Sequence, residues 1–147
     1  TLFRSLIPHE KEPEERQAEQ PPLSGAALNE AVLARYYAAL GAQRFGSIRG
    51  LLEEAAADGL PRLTAVGDLA DVRETAHRLA GAGSHFGLTA FVALMQRIED
   101  LAKDGEAEAA GLAGAAAPAV FAAALAAMDD WLAEHAAVVV ASSSSGV

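Results

Sequence analysis

Hydrophobic residues return at helical spacing in five successive stretches of the chain, separated by glycine, proline and short polar breaks. The first places Leu28, Val32, Leu33, Tyr36 and Leu40 on one side, with Asn29 as its N-cap and Gly41 as its stop. It is short and is expected to lid the rest. The second starts near Gln43 and buries Phe45, Ile48, Leu52, Ala55, Leu63 and Val66, kinked or split by Gly59 and Pro61. After a Gly67-Asp68 turn, Asp68 caps a third helix, with Asp71 in the first turn where a carboxylate suits the helix dipole. Its core stripe is Val72, Thr75, Leu79, Ala82 and Phe86, and Gly87 supplies a left-handed end. Thr89 is positioned to cap the fourth helix, buried through Phe91, Leu94, Met95, Ile98, Leu101 and Ala102 and stopped by Gly105. The fifth, from about residue 107 to 135, uses Leu112, Val120, Phe121, Leu125, Met128 and Leu132, and Pro118 near its middle predicts a break or bend.

No stretch alternates with the period of a strand, and no internal repeat is present. The pattern therefore predicts an all-α, up-and-down four-helix bundle with a short additional N-terminal helix. Residues 1–23, with Pro8, Pro13, Pro21 and Pro22 among acidic side chains, read as a flexible linker, residues 24–136 as the domain, and residues 137–147 as a disordered tail.

Composition adds limits to this picture. The 147 residues, 52% of them hydrophobic, fit one domain with a modest core, although much of that fraction is alanine. A formal charge of −9 leaves no basic footprint for a nucleic-acid backbone, so none is expected as partner. The absence of cysteine excludes disulfides and thiolate metal sites. Ala109 to Met128 is uncharged and long enough to span a bilayer, but it is mostly Ala and Gly and ends in Asp129-Asp130 with no basic flank. No basic segment followed by a long apolar run opens the chain. The expectation is a soluble, cytoplasmic, monomeric domain without direct membrane insertion.

The chemistry concentrates on the third helix. At about 100° per residue His77 points away from the core stripe, with Ala70, Arg73, Glu74, Ala80, Gly81 and Ser84 on its outward face. A short turn at Gly87-Leu88 makes the third and fourth helices an antiparallel hairpin, and His77 and Glu99 are each eleven residues from Leu88. Glu99 lies at the edge of its helix's apolar stripe, where it either reaches round to the imidazole or stays a solvated edge carboxylate. If it accepts from Nδ1–H, the tautomer is fixed and Nε2 is left as the nucleophile. Glu74-x-x-His77 also matches half of a di-iron carboxylate site, but no second Glu-x-x-His exists and no metal is expected. Gly81-x-Gly83-x-x-x-Gly87 follows no strand, which argues against a dinucleotide loop. His85 reads as a helix-flank residue, and Phe121 and Trp131 as core or rim.

Ala76-His77-Arg78-Leu79, with Gly81 four residues after the histidine and Gly87 ten after, resembles the signature of histidine-containing phosphotransfer (HPt) domains of bacterial phosphorelays, over roughly residues 28 to 135. The resemblance implies a phosphocarrier without its own ATP site and without a cofactor, which accepts a phosphoryl group on His77 from a receiver-domain phosphoaspartate or a kinase and passes it to another receiver. Its partners would be response-regulator receivers and a hybrid or sensor histidine kinase. It also implies that Glu99 orients His77, and Arg73, Glu74, Arg78, Ala80, Gly81 and Ser84 are the expected docking residues. One departure stands out: the family's usual lysine three residues after the histidine is Ala80 here. Arg73 and Arg78 are the nearby cations, and Arg78 projects about 100° sideways from His77. The alternative is a non-catalytic helical module that docks receivers without shuttling phosphate.

Overall fold

A computed structural model describes residues 27–64 and 68–145, with side chains to residue 135. The linker expected over residues 1–23, and Val66, lie outside the described residues. Asn29 opens the first helix, α1 (Glu30–Leu40), its side-chain oxygen accepting from the Val32 N–H at 3.2 Å. Gly41, at φ 83°, ends it by donating to the Tyr37 carbonyl at 2.8 Å. Helix α2 (Ala42–Gly59) follows at once and tightens into a 3₁₀ turn over Leu60–Thr64, where Pro61 cannot continue an α-helical ladder. Its buried side runs through Phe45, Leu52 and Ala56 to Gly59. Ala55, expected inside, is exposed, because the stripe takes the next position one helical step on.

Helix α3 (Leu69–His85) is capped as expected by Asp68, which accepts from the Asp71 N–H at 3.1 Å. Gly87 ends it at φ 70°, donating to Ser84, and Leu88 donates to Gly83. The Gly87 carbonyl accepts from Asn29 N–H at 2.7 Å, so the same turn anchors the start of α1. In α4 (Thr89–Lys103) the cap position is held by Leu88 and not by Thr89, whose hydroxyl donates back to the Gly87 carbonyl at 3.3 Å. Gly105 closes α4 at φ 78°.

Helix α5 (Ala107–Ser145) runs without interruption through Pro118 and past His135. Pro118 does not break it: Phe121 and Ala124 on one side of the proline and Ala117 and Ala110 on the other are all buried, and this packing holds both halves in one helix. Nor does the helix stop near His135. Its backbone continues to Ser145 through a run of Ala and Val, where each added residue extends an existing ladder and bears no nucleation cost, so residues 137–145 are helical where a tail was expected.

Pairs of contacts fix the directions of the helices. Phe45 meets Phe86 at one end of α2 and α3, with ring centroids 5.3 Å apart, while Gly59 lies against Thr75 and Leu79 at the other. Arg49 pairs with Asp129, and Leu63 lies on Gly114, which runs α5 antiparallel to α2. Phe91 and Phe121 touch across α4 and α5, with centroids 5.0 Å apart. The result is the all-α up-and-down bundle of four longer helices with a short leading one. Tyr36 and Tyr37 of α1 pack edge-on to Phe45, Phe86 and Trp131, so α1 lids the end of the bundle.

Residues 107–135 of α5 are long enough to cross a membrane and contain an 18-residue window with a mean hydropathy of 1.8, of which 28% is buried. Within this span Phe121, Met128 and Trp131 are buried inside the bundle, whereas Leu112, expected on the core stripe, is 71% exposed.

Candidate functional site

The surface that α3 turns toward α4 is built from small residues. Ala76, Ala80 and Gly83 follow one another at intervals of four and three, and all are buried. A Cβ on Gly83 would come within 3.1 Å of the Phe91 ring and 3.3 Å of Val92. Sequence reasoning placed Ala80 on the exposed face; it is only 8% exposed. The reason is that α3 buries a wide arc, Thr75 and Leu79 toward α2 and Ala76, Ala80 and Gly83 toward α4. The signal that marks this seam, small residues at i, i+4 and i+7, was present and unread.

That seam brings Glu99 of α4 to His77 of α3, with Oε2 3.0 Å from Nδ1. The imidazole is 73% exposed and the carboxylate 24%. An ionised carboxylate only accepts hydrogen bonds, so the shared proton belongs to Nδ1 and the lone pair of a neutral ring is on Nε2, toward solvent. Both lie in a shallow hollow of about 340 Å³, lined also by Ala70, Arg73 and Glu74. Glu74 pairs with Arg78 at 3.8 Å, on the exposed side of α3.

One turn beyond His77, Gly81 is exposed, and a Cβ there would meet nothing within 4 Å. The Ser84 hydroxyl, also exposed, donates to the Gly81 carbonyl at 2.8 Å. Arg73, Glu74, Arg78, Gly81 and Ser84 thus share the accessible side of α3 with His77, and Ala80 does not. His85 stacks on Tyr36 with ring centroids 5.7 Å apart, and His135 stacks on Trp131 and pairs through Nδ1 with its carbonyl at 2.8 Å. Among the described residues, no group of three or more His, Asp or Glu side chains converges as a metal site would require.

A family model, the Hpt domain, matches residues 42–134, more than half of the chain. The chain belongs to the Hpt domain family. Hpt domains carry out histidine phosphotransfer in phosphorelays, as phosphocarriers without an ATP site of their own, and work with receivers and kinases. The match starts at α2, so the lid helix α1 lies outside the matched part of this Hpt domain. Neither the curated proteins nor the solved structures contain a match to the chain.

Proposed function

We propose that His77 is the phosphoryl-accepting residue of this Hpt domain and that Glu99 orients it. The observation that supports this most is the 3.0 Å contact between Nδ1 and the Glu99 carboxylate on an imidazole whose other nitrogen is open to solvent. Nε2 attacks the phosphorus of a receiver's aspartyl phosphate, an N–P bond forms, and the P–O bond to aspartate breaks, returning the receiver's carboxylate. The ring then carries phosphorus on Nε2 and the proton on Nδ1, with a formal positive charge that Glu99 faces directly. Reversal of the same steps onto a second receiver aspartate completes the relay. Both partners are activated phosphates, so the protein contributes mainly positioning.

Arg73, Glu74, Arg78, Gly81 and Ser84 form the docking face for receivers in this reading. The low relief at Gly81, with open space above it, supports approach of the receiver's phosphoaspartate. The donor is a receiver phosphoaspartate or a hybrid or sensor kinase, the domain works as a monomer, and its compartment is the cytoplasm. A second reading is a helical module that docks receivers without carrying phosphate, and Ala80 in place of the family's lysine favours it.

Incubation with a panel of phosphorylated receivers separates the two. Acid-labile, base-stable label is expected on the wild type, and none on His77→Gln, whose stability should stay within about 0.5 kcal/mol of wild type because the residue is exposed. His85→Gln should keep its label. Label surviving in His77→Gln overturns the assignment, and receiver binding with no label at all favours the docking module.

A further inference from the structure

We infer that Arg73 is the cation that holds the phosphoryl group on His77, in place of a base three residues after the histidine. This rests on the assignment of His77 and concerns what the hollow around it does with charge. A phosphoryl group brings about −1.5 to −2 at neutral pH. It arrives in a hollow that already contains two carboxylates, Glu74 and Glu99, so an unopposed phosphohistidine would be repelled from both sides.

The candidates for the balancing cation reduce to one. Position 80 is buried in the seam with α4, so nothing there faces the hollow. Arg78 is turned to Glu74 at 3.8 Å and lies outside the lining, as does Lys103, one turn beyond Glu99 on α4. Arg73 lines the hollow together with His77, one turn before it on the same face, and makes no ion pair among the described residues. Its guanidinium can hold two phosphoryl oxygens at once through its fork of N–H donors. Glu74 acts in the opposite sense, since its carboxylate borders the same hollow and raises the energy of the loaded state. The net effect is a site in which one arginine sets how fast the group is accepted and how long it stays.

The test uses the full chain loaded by a phosphorylated receiver, followed by the decay of the ³¹P phosphohistidine signal after the donor is removed. Arg73→Ala should slow acceptance about tenfold, the low end of what a charge-assisted hydrogen bond gives at an exposed site, and shorten the lifetime of the label. Arg73→Lys should fall between the two, because it keeps the charge and loses the fork. Glu74→Gln should lengthen the lifetime of the label. Lys103→Ala should leave acceptance and lifetime within about twofold of wild type, as an exposed charge outside the hollow does, and Arg78→Ala, whatever it does to docking, should leave the lifetime after donor removal within about twofold. Wild-type acceptance and lifetime in Arg73→Ala would overturn the inference, as would an equal shortening of the lifetime in Arg78→Ala or a shorter lifetime in Glu74→Gln. Failure of the His77 assignment looks different: it shows as label that persists in His77→Gln.

Discussion

His77 and Glu99 are separated by 22 positions and meet at 3.0 Å. Removing the carboxylate frees Nδ1, so Glu99→Ala should shift the neutral imidazole away from its Nδ1–H tautomer, a change that ¹⁵N chemical shifts of the ring read directly. Phosphoryl acceptance should slow by up to about tenfold, since a hydrogen bond to a charged group is worth about 1.5–3 kcal/mol and an exposed one less. Unchanged ring shifts in Glu99→Ala would mean that the two side chains do not meet in solution. Gly81 tests the face and not the pair. Its Cβ position is open, so Gly81→Gln should fold normally and stabilise α3 by roughly 0.5–1 kcal/mol, as replacing glycine inside a helix does. The same variant should lower transfer from phosphorylated receivers, because the long side chain stands beside Nε2. A destabilised Gly81→Gln, measured by urea unfolding, would place Gly81 in a helix contact and move the docking face elsewhere.

At the level of helices, what was legible was what periodicity and caps encode. Asn29, Asp68 and the positive-φ glycines Gly41, Gly87 and Gly105 mark ends that the local chain determines by itself. The hairpin register followed from one short turn, and with it the pairing of His77 and Glu99. What was not legible depends on neighbours far along the chain. Ala80 is buried because α4 packs on Ala76, Ala80 and Gly83, and a helical wheel centred on one stripe has no knowledge of a second partner. Pro118 fails to break α5 for a similar reason: burial on both sides outweighs the local penalty. That penalty should still be present, because the proline has no N–H for the Gly114 carbonyl and its ring crowds it. Pro118→Ala is therefore expected to raise stability by about 1–3 kcal/mol, less than the full helix-interior penalty because alanine also loosens the unfolded chain. Urea midpoints equal to or below wild type would show that the helix bends at Pro118 to relieve the strain, and that the bend is needed.

The whole molecule closes where α5 returns along α2, with Gly114 against Leu63 at one end and Asp129 paired with Arg49 toward the other. Arg49 also reaches Glu53 at 3.3 Å, so one guanidinium joins two acids on two helices. The hydrogen bond from Arg49 holds the Asp129 carboxyl below the ordinary aspartate range, against a smaller opposing effect of burial, and Asp129 in turn keeps the Arg49 proton more tightly bound. Because the folded-state value of Asp129 is the lower one, the pair contributes fully above the unfolded aspartate pKa of about 4 and is lost as pH falls through the depressed folded value. Asp129 is 58% exposed, so the contribution is small, within about 1 kcal/mol. Acidification also relieves the self-repulsion of a chain at −9, which acts in the opposite direction and would mask the effect in the wild type alone. The difference between wild type and Asp129→Asn removes that common background. The wild type should be the more stable at pH 6–7, and the gap should begin to shrink near about pH 4 and close once the pH is below the depressed folded value, where both carry a neutral side chain at this position. High salt should shrink the gap at neutral pH, since the pair is accessible to counterions. A gap that persists unchanged to pH 2 would mean that Asp129 matters for its shape or for α5 itself, and that the charge across α2 and α5 contributes nothing to closing the bundle.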